Sequence, residues 1–100
     1  MIDRALFVRI KAKEGKEDEV ENFLRGALGN VMEERGTVDW YAVKFGPRDF
    51  AIFDTFGNEE DRLVHLAGKV GQALIANAPA LISGTPRIER AEILAFKEAV

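Results

Sequence analysis

The sequence contains no cysteine, which excludes disulfide bonds, a catalytic thiolate and any metal site with cysteine ligands. Histidine occurs once, at His65, so an ordinary transition-metal site would also need carboxylate ligands. The sequence has no glycine-rich phosphate-binding loop. It has no basic cluster either, and its net charge of −3 argues against a nucleic-acid-binding surface. We therefore expect no cofactor, no metal and no nucleic-acid partner.

Long hydrophobic runs are also missing. No segment approaches the roughly 18 apolar residues that a membrane-spanning helix needs. Charged residues at positions 3, 4, 9 and 11 interrupt the first residues, unlike the apolar core of a signal peptide. With 100 residues, the chain has the length of one domain. We expect a single domain over residues 1–100 that is soluble, cytoplasmic and free of the membrane.

Residues 37–56 have the pattern of a β-hairpin. Residues 37–45 and 49–56 are rich in β-branched and aromatic side chains, and the short Gly-Pro-Arg segment between them reverses the chain. A sheet with one wet side alternates apolar and polar residues. Here both faces of the hairpin carry large apolar groups. Helices of the same chain should cover one face, and a partner subunit, a ligand or both should cover the other.

The remaining elements complete a β-α-β-β-α-β order. Strands are predicted over residues 5–12 and 87–96, and a helix with an apolar stripe over residues 16–35. A second helix should begin after Asn58 as N-cap and run to about Asn77, with Pro79 ending regular helix. Right-handed crossovers place both helices on one face of a four-stranded antiparallel sheet. We expect the ferredoxin-like α+β fold, with two sheets facing one another in a dimeric α+β barrel.

His65 is the first candidate for a catalytic residue. It lies about 200° round the helix axis from Leu63, which points it away from the predicted core stripe. It is therefore either a solvent-exposed histidine or a group at the mouth of a cavity. Asp61, four residues earlier on the same side, could orient the imidazole or raise its pKa.

Asp54 is the second candidate, because a carboxylate between Phe53 and Phe56 in mid-strand needs a partner. It should either pair with Arg9 or Arg90 from neighbouring strands or bind a ligand.

Aromatic residues supply the other candidates. Trp40 and Tyr41 must face opposite sides of the sheet, one under the helices and the other toward a cavity or partner. Phe7, Phe53 and Phe56 could form an aromatic pocket for a flat apolar substrate or a dry dimer seam.

Three segments together resemble the antibiotic biosynthesis monooxygenase domain family over nearly the whole chain. They are KAKEGKEDEVENFL, GTVDWYAVKFGPRDFAIFDTF and NEEDRLVHLAGKV. The resemblance implies a homodimer whose enzymatic relatives oxidise polycyclic phenols or quinols with molecular oxygen, without flavin or metal. It also implies a cavity between sheet and helices in which a Trp or Tyr, an Asn and a His usually take part.

Some relatives degrade haem instead, and this sequence resembles those relatives less. Phe56 and His65 keep a family spacing of nine residues, but Phe56 replaces a Trp and Val70 lies near the place of a missing second His. Oxidation without a cofactor needs a base, a site that orients the ring and a cavity that excludes water. His65 or Asp54 could be the base, Trp40 and Tyr41 could orient the ring, and the phenylalanines could line the dry wall of the cavity. A non-enzymatic dimer that binds a small ligand or serves a stress response, and a haem-binding relative, remain the alternatives.

Overall fold

A computed structural model describes residues 2–98 and gives the element order β-α-β-β-α-α-β. The elements are β1 (Arg4–Lys11), α1 (Glu17–Val31), β2 (Thr37–Lys44), β3 (Asp49–Phe56), α2 (Glu59–Leu66), α3 (Lys69–Leu81) and β4 (Arg87–Glu92). The strands form one antiparallel sheet in the order β2-β3-β1-β4. This is the predicted ferredoxin-like α+β fold, with its second helical segment divided in two.

The two faces of the sheet have different surroundings. On one face, side chains of β1 and β3 pack against the helices in a core formed by Val8, Ile10, Ala12, Val20, Leu24, Phe50, Ile52, Leu74, Ala78 and Ile82. We call this the helix face. The opposite face, which we call the open face, has no helix against it within residues 2–98. The alternation of strand side chains therefore decides which candidate residues lie under the helices.

The first helix is shorter than predicted. It ends at Val31, and Met32 rather than Arg35 lies at its C-terminal boundary. Its buried stripe is Val20, Leu24, Ala27 and Val31, while Met32 keeps 76% of its surface exposed. The acidic residues at 17–19 occupy the first turn, where the helix dipole favours negative charge.

The second predicted helix breaks at Ala67 and Gly68. Asn58 caps the first part as predicted, its side-chain oxygen accepting from the backbone N–H of Asp61 at 2.8 Å. Small residues permit the break, because a Cβ at Gly71 would lie only 2.5 Å from the carbonyl oxygen of Leu66. The chain can therefore turn sharply between α2 and α3 while the two helices stay in contact.

The prediction that Pro79 ends the helix was wrong. Pro79 lies inside α3, which continues to Leu81. Its missing N–H removes one backbone hydrogen bond from the last turn of α3. Within residues 2–98, no helix is both long and apolar enough to cross a membrane.

Candidate functional site

A cavity of about 400 Å³ lies between the helix face of the sheet and α3. Its walls are Leu6, Val8, Ile52, Asp54, His65, Leu66, Val70, Gly71, Leu74, Ile75, Ala78, Pro79, Gly84, Thr85, Pro86 and Ile88. The walls are mostly aliphatic, and no Phe, Tyr or Trp from the described part of the chain lines them. Among the lining residues of the described chain, only Asp54 and His65 are ionisable, and the two are in contact with each other.

The carboxylate of Asp54 is almost fully enclosed, with 1% of its surface exposed. It lies on the helix face of β3, opposite Trp40 of β2 in the strand register. Among residues 2–98, no group is aligned as a hydrogen-bond donor to either of its oxygens. Its ionisable neighbour is the ring of His65, whose Nε2 lies 2.9 Å from Asp54 Oδ2. Asp54 therefore has one ion-pair partner and unused acceptor capacity beside the cavity.

The predicted arginine partners of Asp54 were wrong. Arg9 extends from the open face, where its guanidinium lies over the rings of Phe7 and Phe45 at 5.8 and 5.1 Å. Arg90 is mostly exposed and its nearest carboxylate is Glu59, at 3.9 Å. Sheet alternation separates Arg9 from Asp54, because it directs their side chains to opposite faces.

His65 is buried, with 8% of its surface exposed, and does not face solvent. Asp61 is not its partner. Its carboxylate instead lies over Gly36, where an added Cβ would come within 2.6 Å of it. The sequence analysis placed His65 away from the buried face of the helix. In the structure α2 is rotated about its axis so that Arg62 and His65 form the buried face. Arg62, three residues before His65, is buried too and donates to the carbonyl oxygens of Ala5 and Ala91, both at 3.2 Å.

A second carboxylate holds the other ring nitrogen. His65 Nδ1 lies 2.5 Å from Glu34 Oε1, in the connection between α1 and β2. Thr37 Oγ1 donates to the same Glu34 oxygen at 2.7 Å and lies 3.3 Å from His65 Nδ1. His65 thus lies between two carboxylates. Asp54 is buried at the cavity, and Glu34 is 19% exposed. We call Asp54, His65 and Glu34 the charge array.

The array shifts the pKa of two of its members upward. Burial raises the pKa of Asp54 above its ordinary value, and the neighbouring His65 offsets part of this rise. Burial alone would lower the pKa of His65, but the nearby carboxylates of Asp54 and Glu34 outweigh it and raise that pKa above its ordinary value. The surroundings of His65 therefore favour its charged form, and Asp54 is a stronger base than an exposed aspartate.

Phe56 and Trp40 support the array from the helix face. Phe56 is completely buried, and its ring centroid lies 5.3 Å from that of His65. Trp40 is partly buried and packs against the core described above and against a second, smaller core cluster of Ala27, Val31 and Val70. Its indole Nε1 is enclosed and has no acceptor among residues 2–98. Neither residue lines the cavity. They pack beside the array rather than in the space that a ligand would fill.

The remaining aromatic candidates lie on the open face. Phe7 pairs with Phe53 across β1 and β3, and Phe53 pairs with Tyr41 across β3 and β2, which makes a row of three rings that we call the aromatic ladder. Tyr41 keeps 56% of its surface exposed. The predicted pocket of Phe7, Phe53 and Phe56 does not form. Phe56 has the opposite strand parity from Phe53 and faces the helices.

Sequence reasoning missed Glu34 and Thr37 because it placed Glu34 inside a helix that ends earlier. The sequence does contain a feature that could have indicated Glu34. The charged pair Glu33–Glu34 comes shortly before a glycine and a strand that passes close to the second helix. In residues 2–98, no group of three or more His, Cys, Asp or Glu side chains is arranged to hold a metal ion. The array is suited to moving a proton at the wall of an apolar cavity.

Comparison with solved structures identifies the type of fold. One similar structure is a Nitrosomonas europaea protein described as an antibiotic biosynthesis monooxygenase. It is 12% identical, with a TM-score of 0.81 over 92% of this chain and 90% of that one. A Chloroflexus aurantiacus protein with the same description is 15% identical, with a TM-score of 0.74 over 98% of each chain. The resemblance inferred from the sequence is thereby confirmed for the fold, which is the ferredoxin-like fold of antibiotic biosynthesis monooxygenases.

A much nearer relative narrows the identification. A Nitrosomonas europaea protein of unknown function is 46% identical, with a TM-score of 0.96 over 100% of this chain and 97% of that one. The chain belongs to the same family as that protein. No protein-family model and no curated protein sequence matches the chain.

Proposed function

We propose that the protein is a cofactor-independent monooxygenase that oxidises a small aromatic or quinol-type compound with molecular oxygen. The observation that carries the proposal is the Asp54 carboxylate, buried at the wall of an apolar cavity with the Nε2 atom of His65 2.9 Å from its Oδ2 atom. Such a site suits a substrate with an apolar body and one acidic hydroxyl group. The fold shared with assigned monooxygenases is consistent with it.

The reaction begins with a proton transfer. Asp54 removes the proton of the substrate hydroxyl, and the raised pKa of Asp54 brings its basicity nearer to that of a phenolate. The resulting anion is rich in electrons and passes them to oxygen. One oxygen atom enters the substrate and the other leaves as water, with both hydrogens of that water coming from the substrate. The substrate itself therefore supplies all the electrons, and the protein supplies a base, a cation and a dry cavity.

We assign the candidate residues unequal parts in this reaction. Asp54 is the base, and His65 is the cation that stabilises the substrate anion. Trp40 and Phe56 hold Asp54 and His65 in position from the adjoining core. Tyr41, Phe7 and Phe53 belong to the open face and act through the dimer rather than through contact with substrate.

The aromatic ladder supports the homodimer. Tyr41, Val43 and Phe45 keep 56%, 38% and 61% of their surfaces exposed on one edge of the open face. A second copy of the chain, placed sheet to sheet, would cover these three side chains and close a barrel.

Replacing Phe53 by Asp puts a charge at the centre of the ladder and should convert a dimer to a monomer in sedimentation. Val64→Asp puts the same charge on α2, on the helix side of the sheet, where Val64 keeps 64% of its surface exposed, and is the matched control that should leave the dimer unchanged. An unchanged dimer for Phe53→Asp would count against this interface.

Non-enzymatic binding of a small ligand is the second candidate, and the aliphatic cavity wall favours it. A ring-stacking wall would hold a flat aromatic substrate in one orientation, whereas aliphatic side chains hold an apolar ligand less selectively. Haem binding has less support. Both ring nitrogens of His65 are engaged by carboxylates, so iron ligation would require breaking a contact with Asp54 or Glu34.

Oxygen uptake with a panel of quinols and anthrones tests the proposed function. Asp54→Asn should lower turnover at least about 100-fold, the usual contribution of a general base. His65→Ala should lower it as well, and Trp40→Phe should have a smaller effect. Asp49→Asn removes an exposed carboxylate at the start of the same strand and is the matched control. Turnover by Asp54→Asn equal to that of the unaltered protein would refute the role of Asp54, and a stable complex without any uptake would favour the binding protein.

A further inference from the structure

The total charge of the array decides what the cavity can accept. With Asp54 and Glu34 ionised and His65 protonated, the three side chains carry a net charge of −1. Their exposed side-chain fractions are 1%, 19% and 9%, so water screens this charge poorly. An anion that enters beside Asp54 adds a second uncompensated negative charge to a site of low dielectric. A neutral ligand adds none.

A neutral hydroxyl compound can then become an anion without changing that total. When its proton moves to Asp54, the carboxylate loses its charge and the ligand gains one. His65 stays protonated and exchanges one anionic neighbour, Asp54, for another, the ligand oxygen. Charge is moved within the site rather than created there, which keeps the cost of ionisation low.

This exchange depends on the residue behind the ring. Burial opposes the charge on His65, and once Asp54 is protonated only Glu34 remains to balance it. Thr37 fixes Glu34 by donating to Oε1 at 2.7 Å. Gly68 also leaves room for this carboxylate, since an added Cβ would lie 3.3 Å from Glu34 Oε2.

The other charged side chains of α2 are directed elsewhere. Arg62 pairs with Glu59 and with two strand carbonyl oxygens, and Asp61 lies over Gly36. Asp54 from β3 and Glu34 from the α1–β2 connection are thus the charged groups that contact His65 among residues 2–98.

We propose that Glu34, held by Thr37, is a positioning residue that keeps His65 charged and oriented, and that the array selects ligands that enter as neutral hydroxyl compounds over ligands that enter as anions. The inference rests on the proposed function for its class of ligand. Its tests use binding and the unliganded protein, so they can succeed or fail independently of oxygen chemistry.

The first test compares two probes of the same ring system, 2-naphthol and 2-naphthoate, by titration calorimetry at neutral pH. The unaltered protein should bind the neutral naphthol at least about tenfold more tightly, because an extra buried charge costs more than the free energy that corresponds to a factor of ten. Asp54→Asn removes one negative charge from the array and should reverse the preference in favour of naphthoate. Equal affinities in the unaltered protein, the same preference in Asp54→Asn, or no binding of either probe would overturn the proposed selection.

The second test follows the charge on the ring in the unliganded protein. His65 is the single histidine of the chain, so its ring nitrogen signals in NMR spectra are unambiguous. In Glu34→Gln the ring should lose its proton at lower pH than in the unaltered protein, and Thr37→Val should shift the titration in the same direction by less. Glu33→Gln, which removes the adjacent exposed carboxylate, should leave it unchanged. An unchanged titration in Glu34→Gln would overturn the role of Glu34, and this result would stand whether or not the protein consumes oxygen.

Discussion

Removing Asp54 and His65 singly and together should show that they act as a pair. Breaking a buried ion pair by removing one partner costs about 3 to 5 kcal/mol in free energy of unfolding, because the other charge is left uncompensated. His65 retains Glu34 when Asp54 is replaced, so we expect Asp54→Asn to lose about 3 kcal/mol, near the lower limit. His65→Gln leaves both carboxylates without their partner and should lose about 5 kcal/mol, near the upper limit. In the double variant neither charge of the Asp54–His65 pair is stranded, and the loss should be at least about 1 kcal/mol smaller than the sum of the two.

Urea unfolding at pH 7, with protein concentration held constant, measures these free energies. Lys44→Met is the matched control. It breaks the exposed contact between Lys44 and Glu21, whose side chains are 50% and 30% exposed, and should cost no more than about 1 kcal/mol. Strictly additive losses for Asp54→Asn and His65→Gln would refute the argument that the two groups form an ion pair, whatever the size of each loss.

Two further predictions concern pH and backbone packing. Because the pKa of His65 is raised above its ordinary value of 6.5, its contribution to stability is fully present below that pH and is lost as pH rises through the folded-state pKa. The melting temperature should therefore fall as pH rises above neutrality, and His65→Gln should remove much of this dependence; a flat profile in the unaltered protein would contradict the raised pKa. Gly71→Ala should destabilise the protein by about 1 to 3 kcal/mol, because its Cβ would meet the Leu66 carbonyl at 2.5 Å. Gly26→Ala, in an open position of α1, should instead stabilise it by up to about 1 kcal/mol in the same urea assay, and a loss there would contradict the open surroundings.

The order of the strands and the ferredoxin-like topology could be predicted from sequence because they depend on local patterns. The hairpin is set by its β-branched arms around Gly-Pro-Arg, and the crossovers have one preferred hand. The N-cap at Asn58 was equally predictable, since the side-chain oxygen needs only a backbone N–H within its own turn.

The face of α2 was not predictable from hydrophobicity. Apolar periodicity places Leu63 inside, yet Leu63 is 47% exposed while Arg62 and His65 are buried. These polar groups find strand carbonyls and carboxylates that are distant in sequence, and hydrogen bonds to charged groups contribute about 1.5 to 3 kcal/mol each. The sequence of one helix shows its apolar periodicity, but it does not show which polar groups of other elements its side chains will contact.

The site was accordingly predicted in part. Asp54 stood out because a carboxylate in an apolar strand needs a partner, and His65 because it is the single histidine. Their contact depends on the rotation of α2 and on the strand parity of Asp54. Strand parity also places Phe56 on the opposite face of the sheet from Phe7 and Phe53. Glu34 belongs to the site only because α1 ends at Val31 and frees the following residues to reach His65.

The measurement that tests the account most directly is the absorption spectrum of 2-naphthol bound to the protein at neutral pH, well below the pH at which it ionises in water. If Asp54 takes the proton of a hydroxyl ligand in the cavity, the bound probe should show the naphtholate spectrum with the unaltered protein. It should show the neutral spectrum with Asp54→Asn at equal occupancy. A bound probe that stays neutral with the unaltered protein, or ionises equally in both, would contradict the assignment of Asp54 as the base.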